Sequence, residues 1–154
     1  MFTAWKDNQL KGLTDCGFET NFRTRQVMDT VIQFQEKGYH VHLHFFGLDS
    51  VEASMQRVQL RVAGGGHDVS PENIKANYTQ GMKNFARYNQ AFDSLTVYQN
   101  LAKPEEALQI TPLLKSANGV IIEQLDQLPE WLENLKPELL KNDAKRIKRK
   151  NLKP

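Results

Sequence analysis

Arg57 and Arg61 stand four residues apart, just before the run Gly64-Gly65-Gly66. On a helix that spacing puts both guanidinium groups on one face. Two such forks can clamp a transferring phosphoryl group, whose charge is spread over several oxygens. The glycines would add a hinge and free backbone N–H groups, so the pair could close over a nucleotide and exclude water. A surface helix with two solvated arginines and a loose loop accounts for the same residues. Glu19-Thr20 is a second candidate, a carboxylate and a hydroxyl ending the short apolar stretch Cys16-Gly17-Phe18. An acid there could equally cap the helix that follows. His40, His42 and His44 alternate and so share one strand face, a placement that can bind zinc. No Cys, Asp or Glu at ligand spacing accompanies them, so packed, hydrogen-bonded histidines on an interior strand are expected. Cys16 reads as a small core residue at a strand start.

The elements that must position these groups follow from periodicity and punctuation. Phe2 to Leu10 reads as a helix closed by Gly12, and Cys16–Glu19 as a buried strand reaching a site. Val27, Val31 and Phe34 recur at helical spacing, with Gly38 as the stop. Tyr39 to Phe46 is rich in β-formers. Asp49-Ser50-Val51-Glu52 offers a capping-box start for a helix carrying Met55, Val58 and Val62. Ser70-Pro71-Glu72 opens another helix, with the stripe Ile74, Tyr78, Met82 and Phe85. Leu95–Tyr98 is a short strand, Asn118-Gly119 a turn between two more, and Pro129-Glu130-Trp131 opens a last helix. Strands alternating with helices predict an α/β fold with a mostly parallel sheet, Cys16–Glu19 lying beside Tyr39–Phe46. Ligands in such sheets bind beyond the carboxyl ends of the strands, where Glu19-Thr20 and Asp49-Ser50 fall.

Composition narrows the setting. Hydrophobic residues make up 40% and charged residues 25% of the 154, ordinary for a soluble domain with a real core. No apolar run has the length to span a bilayer and the first residues lack a signal-peptide pattern, so a cytoplasmic protein is expected. One cysteine excludes an internal disulfide framework. The net charge of +2 gives no reason to expect nucleic acid as a partner. Lys141, Lys145, Arg146, Lys148, Arg149, Lys150 and Lys153 do crowd the end, with Asp143 as the one acid among them. Without interleaved aromatics they read as a solvated helix end rather than a nucleic-acid arm.

Arg57-x-x-x-Arg61, Gly65-Gly66-His67-Asp68-Val69, and then Ile74 and Tyr78 resemble the lid of zeta-toxin-type P-loop kinases. Gly17-Phe18-Glu19-Thr20 resembles the F-E-T strand end of that family, and Gly38-Tyr39-His40-Val41-His42-Leu43 its G-Y-x-V-x-L strand. Gly47-Leu48-Asp49-Ser50 resembles its helix start, and Val97-Tyr98-Gln99-Asn100 its v-y-D-N turn. The likeness runs in order over about residues 10 to 100. Three departures stand out. Gln99 replaces the usual aspartate, Lys75 and Asn77 stand where arginines are frequent, and no G-x-x-x-x-G-K-[ST] occurs among the 154 residues.

The resemblance implies a partial P-loop-kinase-like parallel sheet with flanking helices and a helical lid. Residues 1–135 would form the kinase domain without its P-loop portion, and residues 136–154 a basic helical tail. It implies ATP and Mg2+ as cofactors, and transfer of a γ-phosphoryl group to a small-molecule hydroxyl, with a UDP-amino sugar as one acceptor type. Arg57 and Arg61 would neutralise the phosphoryl group, Glu19 and Thr20 would hold the acceptor in the same cleft, and Asn100 would contact the nucleotide. Partners would be an antitoxin or a second copy meeting an uncovered sheet edge. Without the P-loop the chain is expected to be a fragment or a degenerate descendant, inactive alone. The alternative is a non-catalytic pseudokinase remnant that binds nucleotide or protein.

Overall fold

The computed structural model describes residues 2–12, 14–100 and 111–140. Its order is α1 (Phe2–Gly12), α2 (Gln26–Glu36), β1 (His42–Gly47), α3 (Val51–Ala63), α4 (Pro71–Tyr88), a 3-10 turn (Asn89–Ala91), β2 (Ser94–Gln99), β3 (Pro112–Ala117), β4 (Val120–Gln124) and α5 (Glu130–Leu140). The basic residues from Lys141 onward lie outside the described residues, and α5 runs unbroken across positions 135 and 136.

The sheet order is β1-β2-β3-β4. β1 and β2 pair in parallel, His42 with Ser94 through Gly47 with Gln99, linked by α3 and α4. β2–β3 and β3–β4 are antiparallel. The fold is therefore α/β as expected, but the sheet is not mostly parallel: the helical crossover accounts for its one parallel pair, and the two hairpin-type pairings are antiparallel. The β3–β4 hairpin turns at Asn118-Gly119, where φ is 52° and 82°. Two consecutive positive values give the turn whose twist matches paired strands, which is why Asn-Gly is found there.

One expected strand is absent. Cys16–Glu19 pairs with nothing in the sheet and runs exposed. Its Phe18 packs edge-on against Phe2 and Trp5 of α1, at 5.3 and 6.0 Å between ring centroids. An apolar triplet is too short a signal to separate a strand from a segment anchored by one aromatic ring. Cys16 is accordingly exposed rather than in the core.

Helices α2, α4 and α5 cover one sheet face. Met28, Val31, Phe85, Trp131, Leu132 and Leu139 join Leu95, Val97 and Leu114 in a single cluster. Phe45 of β1 stacks on Phe85 at 3.8 Å. The other face carries His42, His44 and Phe46, all exposed, beside half-buried Thr96 and Tyr98. β1 is thus an edge strand, not an interior one, and its histidines are not packed inside. They are hydrogen-bonded: His42 to Ser94, and His44 Nδ1 to the Tyr98 hydroxyl at 3.2 Å. Among the described residues no helix is long and apolar enough to cross a membrane.

Candidate functional site

Helix α3, which carries the two arginines, begins after Ser50, whose hydroxyl accepts from the Ala53 N–H at 3.1 Å and caps it. The N-cap is thus one residue later than a capping box on Asp49 and Glu52 would need. Glu52 nevertheless contributes: its carboxyl is held below the usual range by backbone N–H donation and by Ser50. None of the residues of α3 is fully buried, so this helix stands at the periphery, packed against α4. Arg57 and Arg61 are both exposed on it.

α3 ends in a motif that explains the glycine run. Gly66 N–H donates to the Arg61 carbonyl at 2.8 Å and Gly65 N–H to Val62 at 2.9 Å. Gly65 has φ +89°. This is the paired reversal that stops a helix with a left-handed residue. A Cβ on Gly66 would meet Arg61 Cγ at 2.6 Å and its carbonyl oxygen at 2.8 Å. Arg61 then reaches over the turn, its Nη2 donating to the His67 carbonyl at 2.9 Å. Gly64 N–H is taken by Leu60. The expectation of free backbone N–H groups at these glycines is therefore corrected, because all three donate to α3. Arg57 also has an interaction partner.

Glu19 and Thr20 sit elsewhere. They line an open groove of about 530 Å³ between α1 and α2, with Phe2, Lys6, Phe18 and Asp29 among the other walls. Glu19 does not cap α2, whose N-cap position is Arg25. Thr20 Oγ1 accepts from the Phe22 N–H at 3.1 Å. Neither Arg57 nor Arg61 lines this groove. The structure brings Glu19 and Thr20 together, and the two arginines together on α3, but it does not bring the two pairs into that groove.

The segment after Thr20 is fastened to α4 by contacts that no local pattern announces. Arg23 reaches Asn73 Oδ1 at 3.1 Å and Asn77 Oδ1 at 3.4 Å. Asn84 donates to the Phe22 carbonyl at 2.8 Å. Gly81 lets Asn21 approach, since a Cβ there would lie 2.9 Å from the Asn21 oxygen. Asn77 replaces a cation by resemblance, and here it accepts from one.

At the carboxyl ends of the parallel pair, where ligands of such sheets bind, the side chains are hydrogen-bonded to one another and to nearby backbone. Gln99 Nε2 donates to Asp49 Oδ1 at 3.1 Å, and Gln99 Oε1 accepts from Trp131 Nε1 at 3.0 Å. The Asn100 N–H donates to the Gly47 carbonyl at 2.7 Å. The Tyr78 hydroxyl lies 3.3 Å from the Leu48 and Asp49 carbonyls, its acidity lowered by burial first and then by Asp49 and Glu52. An aspartate at position 99 would set two carboxylates together, and the neutral amide avoids this. Sequence reasoning missed Trp131 here, and its only signal was an aromatic in the first turn of α5. Asp93 lies at the other end of β2, its carboxylate accepting from Val41 N–H at 2.8 Å and from Gln35 Nε2 at 3.2 Å.

The family model described as "Zeta toxin" matches residues 8–107. The chain belongs to the zeta toxin family. The lid motif, the Gly17–Thr20 segment and the Val97–Asn100 turn all fall within the matched range. An uncharacterized protein of Haemophilus influenzae is similar to this zeta toxin family chain, 28% identical over 60 residues. That match spans 39% of this chain and 43% of the relative. No solved structure matches.

Members of this family are ATP-using and kinase-like. Whether these residues fit a nucleotide's phosphates is decided by donors, and they do not. The glycine N–H groups are spent on α3, one Arg61 donor is engaged by the His67 carbonyl, and the 154 residues hold no G-x-x-x-x-G-K-[ST] with its lysine and hydroxyl. Among the described residues no three His, Cys, Asp or Glu side chains gather as a metal site.

Proposed function

We propose that this chain is the lid and acceptor side of an ATP-dependent small-molecule kinase and has no phosphotransferase activity by itself. The observation that carries the reading is the family match over residues 8–107 in a sequence without a phosphate-binding loop. Phosphoryl transfer is positioning plus electrostatics, so its parts must be present together. In this reading Arg57 and Arg61 offer charge to the transferring group, and Asn100 lies on the nucleotide side. Glu19 accepts the proton-bearing side of an acceptor hydroxyl, with Thr20 beside it. The groove's mixture of carboxylates, hydroxyls and the Phe2 and Phe18 rings supports a polar acceptor with an apolar face, such as a UDP-amino sugar. An antitoxin is the natural protein partner, and a second copy of the chain is the other.

The test is label transfer from radioactive ATP to a panel of nucleotide sugars, alongside calorimetric titration with ATP and Mg2+. No transfer and roughly millimolar ATP binding are expected, since exposed arginines supply a few kcal/mol at most. Micromolar binding, or transfer abolished by Arg57→Ala, overturns the reading. A pseudokinase remnant is the second reading, favoured by the Gln99–Asp49–Trp131 hydrogen bonds at the carboxyl ends of β1 and β2. Recovery of transfer on adding a P-loop-bearing segment would count against it.

A further inference from the structure

Among the described residues β1 is the terminal strand of the sheet and its outer side is unpaired. Val41 and Gly47 direct their carbonyls to the β2 side, accepting from Asp93 and Asn100. Backbone groups alternate along a strand, so residues 43 and 45 also face β2, and His42, His44 and Phe46 turn their N–H and C=O groups outward. Among the described residues no backbone hydrogen bond reaches β1 from that side. The usual safeguards of an edge are missing: His42–Gly47 contains no proline, lysine or acid, and its register with β2 has no bulge. The opposite edge is different, because the β3–β4 ladder is bulged and Glu123 is paired with Lys115 at 2.7 Å.

Burial points the same way. The core-facing partners on β2, Leu95 and Val97, are 3% and 0% exposed, whereas Leu43 and Phe45 on β1 are only half-buried. The core therefore stops short at β1. Phe46 is 47% exposed and stacks on Tyr98 at 4.8 Å, and His44 stacks on the same ring at 5.9 Å. A second apolar surface thus flanks the open edge.

We propose that this edge is occupied by a second copy of the chain, β1 pairing antiparallel with its twin about a two-fold axis at His44. Only an even register sum keeps partners on one face. An axis at His44 places His42 opposite the partner's Phe46 and His44 opposite the partner's His44. Those residues carry the outward backbone groups, so all three can bond reciprocally. An axis at Phe45 would use only His44 and Phe46. The His44 axis also sets Leu43 against the partner's Phe45, extending the half-buried core across the junction. A strand without ionised Asp, Glu, Lys or Arg meets itself with no like-charge contact, which an isologous interface requires. This deepens the second-copy reading above and does not depend on kinase chemistry.

The register makes the test specific. A hydrogen-bonded antiparallel pair has Cα atoms about 5.5 Å apart, within disulfide range. In a Cys16→Ser background, His44→Cys should cross-link to its twin under mild oxidation. His42→Cys should not, since the two copies of that position lie roughly 14 Å apart. Light scattering at tens of micromolar should find a dimer for the wild type. His44→Pro removes an outward donor, which edge strands tolerate, together with the imidazole's contacts to Tyr98, and should weaken the dimer at least roughly tenfold. Phe46→Lys leaves the backbone intact and should do the same. Circular dichroism shows whether each variant stays folded. A monomeric wild type, equal cross-linking at His42→Cys, or a dimer that survives Phe46→Lys overturns the proposal. None of these results touches the phosphotransfer assay.

Discussion

Replacing Gln99 by glutamate tests whether the carboxyl ends of β1 and β2 are held by a neutral bridge. The new side chain has the same shape and could still accept from the Trp131 indole N–H. Its other oxygen, however, would lie where Nε2 now sits, 3.1 Å from Asp49 Oδ1. The lost hydrogen bond is worth about 0.5–1.5 kcal/mol. Two charges at that separation repel by about 1.3 kcal/mol in bulk water and about 2.7 if the effective dielectric is halved. The contact is exposed, so solvent and salt screening favour the lower figure. A loss of about 2 kcal/mol at pH 7 and low salt is expected, or roughly 4–8 °C in Tm for a chain of this size. The assay is urea unfolding by circular dichroism, with Trp131 emission recorded in a Trp5→Phe background. Protonating either carboxyl removes the repulsion, so most of the penalty should disappear near pH 4 and much of it in molar salt. Gln99→Leu is the control. It strands the indole N–H of Trp131, which is 7% exposed, and should cost about 1–3 kcal/mol with little pH dependence. A Gln99→Glu protein as stable as the wild type at pH 7, or a penalty unchanged at pH 4, would refute the bridge.

Gly47→Ala should be among the most damaging small substitutions, because its Cβ would fall 2.1 Å from the Trp131 ring. Overpacking of this kind costs roughly 1–3 kcal/mol, visible as lower Tm and altered near-ultraviolet dichroism of the indole. Ser50→Ala should cost about 1 kcal/mol by removing the cap of α3, whereas Asp49→Ala should leave that cap in place. Ser50→Ala should also raise the Glu52 pKa towards the ordinary carboxylate value, measured by NMR titration. Since Glu52 is depressed when folded, its contribution is present above the unfolded value and is lost as pH falls through the folded one. For Cys16, exposed but slightly desolvated by its neighbours, that desolvation and then Asp15 raise the thiol pKa. Alkylation by iodoacetamide near pH 8 should therefore be slower folded than in denaturant, and Asp15→Asn should speed it. The folded state keeps the proton longer, so this group's contribution falls as pH rises above about 8.5.

Elements signalled within a few residues were legible in the sequence. Ser70-Pro71 does cap and open α4, Asn118-Gly119 does turn the hairpin, and the stripe with Ile74 and Phe85 does face the core. Gly38 does follow α2, where Tyr39 N–H returns to the Phe34 carbonyl at 3.1 Å and the two rings meet at 4.9 Å. What failed needed partners far away in sequence. Whether Tyr39–Phe46 is central or edge depends on which strands join it, and β1 is an edge because Cys16–Glu19 does not pair. The family resemblance singled out Gln99 as a departure. Its reason, an acid 50 residues earlier and an indole 32 residues later, has no local trace. Glu19, Thr20, Arg57 and Arg61 could be named from motif alone, but their relative placement is a tertiary fact.

The end of α3 shows how one motif can serve two readings. A glycine run after a pair of arginines invites comparison with a phosphate-cradling loop, since both need backbone N–H groups and positive φ. The hydrogen bonds separate the two cases. A cradle must leave its N–H groups pointing at a ligand, whereas Gly64, Gly65 and Gly66 point theirs back at Leu60, Val62 and Arg61. The requirement for glycine is then explained without any ligand. Gly65 must take φ +89°, and Gly66 must lie against the Arg61 side chain and carbonyl. Arg61 completes the turn by holding the His67 carbonyl. An arginine so engaged stays exposed but has one of its donors directed back at the helix end. To meet a phosphoryl group it must either swing away from His67 or present the remaining N–H donors of its fork. The second route needs no broken bond, because His67 engages only one of the donors of that fork.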